Sequence, residues 1–172
     1  LSYANCCLPY YVCGVIKEQY VLTLQSPESF WDLFRIDVPV RHEVTSINPA
    51  VKTVTVRSLD SGKVYTETYD KLLLAPGAKP TVPALSGVSS ERVFTLRSVE
   101  DTLRIRHFVE DQKPKNAVLA GGGFIGLEMA ENLTEMGVSV TIVQRPNQLL
   151  APLDADMASF VHAEMRRHGV TL

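Results

Sequence analysis

Gly121, Gly123 and Gly126 stand in the GxGxxG spacing. The first glycine allows a tight turn, the second lets a backbone approach a pyrophosphate, and the third lets helix and strand pack closely. Their surroundings suit that chemistry. Asn116 to Ala120 is a short, mostly apolar run that reads as a fully buried parallel strand. From Phe124 to Met136 the apolar residues recur at helical spacing, and Gly137 ends that helix. Val138 to Val143 is a second β-rich run. The motif therefore sits inside a βαβ unit. The helix start, with Phe124 and Ile125 in its first turn, offers free N–H groups and a positive dipole end to a diphosphate.

The second strand ends on Gln144 and Arg145. Asp or Glu at that place would meet the ribose 2′-OH of NAD. A carboxylate repels a 2′-phosphate, an amide does not, and a guanidinium attracts one. The pair favours NADP(H), or tolerance of both coenzymes. The alternative is that Arg145 is a solvated strand-end charge.

A second centre of chemistry lies in Leu1 to Ile16, LSYANCCLPYYVCGVI. Ser2 or Asn5 is suited to cap a helix beginning near Cys6, with Pro9 in its first turn. Unsatisfied N–H groups at a helix start stabilise a thiolate, as a redox or nucleophilic cysteine requires. Cys7 adjoins Cys6, but a vicinal disulfide is strained. Cys13 lies about 10 Å further on by helical rise, too far to bridge. Residue chemistry alone favours Cys6 as a small buried hydrophobe over a reactive thiol.

Composition bounds the function. Apolar residues make up 45% of the 172, enough for a packed core. The net charge of −2 and the absence of a Lys/Arg cluster give no footprint for nucleic acid. No apolar run reaches membrane-span length, and Leu1 to Val15 lacks the marks of a signal peptide. Three cysteines, an odd count, fit a reducing cytoplasm and no zinc signature, so no metal is expected. Both ends look cut: the chain starts without Met, and Val170-Thr171-Leu172 reads as the start of a third strand. The expectation is an interior piece of a longer protein.

Between the two centres, Ser26-Pro27 starts a packing helix with Phe30, Leu33 and Phe34 on one face. Val38 to Asn48 alternates as a strand. Lys52 to Ser58 and Lys63 to Tyr69 form a hairpin around Leu59-Asp60-Ser61-Gly62. Leu72 to Leu74 reads as a buried strand and Ala75 to Ala78 as a turn, which residue types alone make an ordinary linker. Arg97 to Glu110 is an amphipathic helix with Asp101 in its first turn. Lys113-Pro114-Lys115 is a linker. Asp154 to His168 is a last helix closed by Gly169, with His162 and His168 as solvated surface groups.

SYANCCLPYYVCGVI, in its SxxNC-xLPYY pattern, resembles the active-site segment of the single-cysteine pyridine nucleotide-disulfide oxidoreductases. That group includes coenzyme A-disulfide reductase, NADH oxidase and NADH peroxidase, and the match is closest to the first. YDKLLLAPGAKPTVPALSG resembles the family's hinge segment beside the flavin. With the glycine motif, the likeness covers nearly the whole chain. Cys7 and Cys13 stand where the family has glycine, and Pro39 where it often has a basic residue.

The resemblance implies an α/β, Rossmann-like fold with two dinucleotide-binding domains, incomplete at both ends. Residues 1–112 would be a partial FAD-binding domain with the redox cysteine, and 113–172 the first half of the NAD(P)-binding domain. It implies hydride transfer from NADP(H) or NAD(H) to FAD, then reduction of a disulfide at Cys6, with Ser2 and Asn5 in the same segment. The substrate would be a small disulfide, of which coenzyme A is one candidate. In an oxidase or peroxidase, Cys6 would instead form a sulfenic acid. Val44, Ala75 and Gly77 would lie by the FAD, and Glu128 by the flavin–nicotinamide contact, although an early-helix glutamate also suits the dipole. The parent would be a homodimer. A non-catalytic dinucleotide-binding module is the rival of another class.

Overall fold

The computed structural model describes residues 2–172. In chain order the elements are β1 (Ser2–Tyr3), a 3-10 turn (Asn5–Cys7), α1 (Leu8–Val12), a second 3-10 turn (Gln19–Leu22), β2 (Thr23–Gln25) and α2 (Pro27–Phe34). Then come β3 (His42–Asn48), β4 (Thr53–Ser58), β5 (Val64–Thr68), α3 (Val99–Gln112), β6 (Asn116–Ala120), α4 (Phe124–Glu135), β7 (Ser139–Val143) and α5 (Ala155–Arg167). The chain divides into two compact units. One contains Gln25–Lys79; the other contains Tyr3–Leu24 and Pro80–Leu172.

In the first unit, α2 starts as its sequence demands. The Ser26 hydroxyl accepts the Ser29 N–H, and the Ser29 hydroxyl accepts the Ser26 N–H. Its expected packing face does not form. Leu33 and Phe34 are exposed, and no residue of α2 is buried. An apolar stripe becomes a packing face only where a second element covers it, and at Leu33 and Phe34 this stripe stays uncovered.

β3, β4 and β5 form the expected antiparallel sheet, with Val44 opposite Val56 and Val56 opposite Tyr65. A bulge follows Val44. The Ser58 N–H donates to the Lys63 carbonyl across the hairpin, and Gly62 takes the positive φ of +71° that its turn requires. Leu72 to Leu74 is not the expected buried strand. It has no regular structure, and Leu73 is 89% exposed. An apolar run needs a strand to pair with, and these three find none among the described residues. Gly77 has a positive φ within irregular chain.

In the second unit, β6 and β7 pair in parallel, with Ala117 opposite Val140 and Leu119 opposite Ile142. Met129, Ala130 and Leu133 of α4 share a core with Val140 and Ile142, with Ile105 and Val109 of α3, and with Val12. β6 is not buried on both faces as expected: Ala117 and Leu119 face that core, but Val118 is 69% exposed. The helices named here cover one side of the ladder.

Thr171 continues the sheet in parallel beside β7. Its N–H donates to the Val140 carbonyl at 3.0 Å, and its carbonyl accepts the Ile142 N–H at 2.8 Å. The expected start of a third strand is therefore in place, and the order β6, β7, Thr171 is that of a mononucleotide-binding βαβαβ half. α3 carries a full capping box. Ser98 accepts the Asp101 N–H, and the Asp101 carboxylate accepts the N–H groups of Ser98 and Arg97.

Candidate functional site

The glycine loop has the geometry that its spacing predicts. Gly121 has φ +118°, a conformation that L side chains rarely adopt, and its N–H donates to the Val143 carbonyl at 2.9 Å. A Cβ on Gly126 would collide with the Gly121 carbonyl oxygen, so strand end and helix start meet only because Gly126 is bare. A Cβ on Gly123 would meet nothing within 4 Å. Gly123 is the N-cap of α4, and no side chain caps that helix. The first N–H groups of a helix have no partner inside it. Here they border open space, with Phe124 and Ile125 exposed at the first turn. That arrangement fits a pyrophosphate.

Gln144 does not project freely from the strand end. Its Oε1 accepts the Gly122 N–H at 2.9 Å, and its Nε2 donates to the Gln148 carbonyl at 3.3 Å. Arg145, the next residue, is exposed. Sequence reasoning missed Gln148 and Leu149, which complete this loop. Leu149 donates its N–H to His162 Nε2 at 2.9 Å. His162 is therefore a half-buried acceptor rather than the expected solvated group. Replacing it by leucine should leave the N–H of buried Leu149 without a partner. The expected cost is about 1–3 kcal/mol of stability, measured by denaturant unfolding. A loss under a few tenths would refute a structural role for that bond.

Glu128 lies in α4, half-buried, and its carboxyl is raised above the usual range by burial first and by the Glu131 charge second. The nearby charge of Glu131, followed by burial and by Glu128, also raises the Tyr10 hydroxyl. These groups share one negative field between α1 and α4.

The cysteine segment belongs to the same unit. Cys6 is exposed, which overturns its reading as a buried hydrophobe. The expected helix is α1, with Cys7 at its N-cap and Pro9 in its first turn; Cys6 lies in the 3-10 turn before it, closed by the Cys7 N–H on the Ala4 carbonyl, with no side-chain cap. Asn5 does not cap it. Its Oδ1 accepts from Arg97 Nη1 at 3.3 Å, a contact between residues 92 apart that spacing could not reveal. The side chain of Ser2 lies outside the described part of the structure.

Cys7 and Cys13 are half-buried. The Cys13 thiol donates to the Tyr10 carbonyl and to Oδ1 of buried Asn132, whose Nδ2 donates to the Glu128 carbonyl at 2.6 Å. Leu8, Tyr11 and Val12 are buried, and the Arg106 guanidinium lies 4.4 Å over the Tyr11 ring. Val44, Ala75 and Gly77 belong to the other compact unit, and all three residues are exposed. Among the described residues, no group of three or more His, Cys, Asp or Glu is placed to hold a metal ion, and no helix is long and apolar enough to cross a membrane.

The coenzyme A disulfide reductase of Staphylococcus aureus (strain JH9) is 37% identical over 170 residues, which are 99% of this chain and 38% of that protein. The crystal structure of reduced Bacillus anthracis CoADR-RHD matches with TM-score 0.93 and 46% identity, over 100% of this chain and 31% of its own. An engineered water-forming NADPH oxidase bound to NADPH matches with TM-score 0.88 and 32% identity, over 99% of this chain and 38% of its own. The chain thus spans well under half the length of these relatives. The family model described as pyridine nucleotide-disulphide oxidoreductase matches residues 1–172, and the chain, a mixed α/β protein, belongs to that family of enzymes.

Proposed function

We propose that this chain is the part of an FAD-dependent NAD(P)H oxidoreductase that carries its redox cysteine and its pyridine nucleotide loop, and that the parent reduces a small disulfide at Cys6. The observation that carries the proposal is Cys6 itself. It is exposed within SxxNC-xLPYY, while the other two cysteines are half-buried. Residues 1–112 supply the flavin side, with Val44, Ala75 and Gly77 beside the cofactor. Residues 113–172 supply the pyridine nucleotide side, with Gly121, Gly123, Gly126 and the start of α4 on the pyrophosphate and Glu128 towards the reacting rings.

The bound flavin and pyridine nucleotide supply the electron pair. The Cys6 thiolate attacks the substrate disulfide RSSR, forms Cys6–S–S–R and releases RS⁻. The electron pair then cleaves the mixed disulfide, restoring the thiolate and releasing a second RS⁻. The net reaction consumes NAD(P)H, a proton and RSSR, and yields NAD(P)⁺ and two RSH. Likeness to a named coenzyme A disulfide reductase supports coenzyme A disulfide as RSSR. Likeness to an oxidase supports a second reading, in which an exposed Cys6 cycles through a sulfenic acid. The parent is proposed to be a cytoplasmic homodimer.

Gln144-Arg145 supports NADPH. The NADPH-bound oxidase variant replaces an adjacent Asp-Ala pair by Ala-Arg, the same loss of an acid and gain of a guanidinium. The test is a steady-state assay of the full-length protein with each coenzyme against coenzyme A disulfide, peroxide and oxygen. NADPH should give a kcat/KM at least equal to that of NADH. Arg145→Ala should lower it for NADPH about tenfold while sparing NADH, the scale of one lost charge-assisted hydrogen bond. A strong wild-type preference for NADH would refute the coenzyme assignment. Turnover of peroxide or oxygen but not disulfide would refute the substrate.

A further inference from the structure

The connection between β7 and α5 grips the peptide of Gly122 from three sides. Gln144 Oε1 accepts its N–H at 2.9 Å, and the Leu150 N–H donates to its carbonyl at 2.8 Å. The Leu149 side chain fills the space where a Cβ on Gly122 would fall. The connection is itself tied down. Gln144 Nε2 donates to the Gln148 carbonyl, Gln148 Nε2 to the Leu153 carbonyl at 2.6 Å, and the Leu149 N–H to His162. Leu150 sits at φ +48°, a left-handed conformation that is costly for leucine and persists only where the surroundings impose it.

Gln144 holds the position that the glycine motif assigns to coenzyme choice, yet its amide is engaged inward with both its oxygen and its nitrogen. An ionised carboxylate only accepts hydrogen bonds. At this position it could take the Gly122 N–H, but would set a negative oxygen against the Gln148 carbonyl. Only an amide satisfies both neighbours.

We propose that Gln144 is a positioning residue that latches the Gly122 peptide. Through it, Gln144 sets the affinity of the pyrophosphate turn for both coenzymes alike, and 2′-phosphate discrimination falls to exposed Arg145. This inference rests on the pyridine nucleotide reading above, and its test separates the two.

The test uses full-length protein carrying Gln144→Met, which keeps the length of the side chain and removes the amide, or Gln144→Glu, which keeps the acceptor. Hydrogen exchange at Gly122, followed without coenzyme, should be slow in wild type and in Gln144→Glu, and about tenfold faster in Gln144→Met. The Kd of Gln144→Met for NADPH and for NADH, each by calorimetry, should rise by one common factor of about ten. A change confined to one coenzyme would overturn the proposal in favour of direct ribose contact. Unchanged exchange at Gly122 in Gln144→Met would overturn the latch. If Gln144→Met does not fold, wild type and Gln144→Glu decide the matter: slow exchange in both supports the latch, and fast exchange in wild type overturns it. Wild-type protein that bound neither coenzyme would overturn the pyridine nucleotide reading and the affinity role with it, while exchange at Gly122 would still decide the latch.

Discussion

Cys6→Ser in the full-length protein is expected to reduce disulfide turnover by more than about a thousandfold, the scale on which enzymes lose activity with their nucleophile. A serine hydroxyl forms no mixed disulfide, so attack on the substrate sulfur stops at the first step. Reduction of bound flavin by NAD(P)H should persist, because in the proposed sequence Cys6 acts after that transfer. Stopped-flow flavin absorbance and release of free thiol separate the two. Cys7→Ser and Cys13→Ser should retain most of the turnover. Cys7 is half-buried, and a serine hydroxyl at position 13 can still donate to Asn132 and the Tyr10 carbonyl. Wild-type disulfide turnover in Cys6→Ser, or its abolition in Cys7→Ser, would end the single-cysteine mechanism.

The second large effect distinguishes two glycines of one motif. Gly123 has φ −83° and ψ −175°, which valine adopts readily, and a Cβ there meets only open space. Gly123→Val should therefore fold, at roughly the 1 kcal/mol by which a helix cap prefers glycine to valine. It should nonetheless lose coenzyme affinity about a hundredfold, because the new side chain stands where the proposed pyrophosphate site borders the helix N–H groups. Gly126→Val should fail differently. Its Cβ runs into the Gly121 carbonyl, so overpacking of about 1–3 kcal/mol or more falls on stability itself. Thermal unfolding paired with coenzyme titration gives the two signatures. If Gly123→Val bound NADPH as wild type does, the pyrophosphate would have to sit elsewhere.

The two behaviours show what a linear pattern carries. Spacing located the glycines, β6, α4 and β7, and apolar periodicity with Asp101 in the first turn located α3 to within two residues at each end, because these depend on neighbours a few residues away. The same reading placed Leu72 to Leu74 in a buried strand and gave α2 a packing face. Apolar content says what an element prefers to bury against, not whether a partner is there. Val118 went wrong likewise: its run of five suggested two covered faces, and one is covered. The inward turn of Gln144 depends on where the Gly122 and Gln148 backbones lie in space, and residue type alone made it a candidate for ribose. His162 and Arg97 escaped because their partners are distant, Leu149 across a loop and Asn5 across most of the chain.

That last distance has an entropic consequence. The segment bearing Cys6 is joined to Arg97 just before α3, to α3 and to α4 by bonds spanning 92 residues to Asn5, 95 to Tyr11 and 119 to Cys13. Closing a loop of that length costs about 2 kcal/mol more than closing one of roughly ten residues. An exposed 3.3 Å hydrogen bond to Asn5 cannot offset it. Burial of Leu8, Tyr11 and Val12 can, at about 1.5–3 kcal/mol for each large apolar side chain. One short peptide thus divides its labour. The apolar residues after the cysteine hold the segment against chain entropy, and the polar pair Asn5-Cys6 stays exposed at the surface.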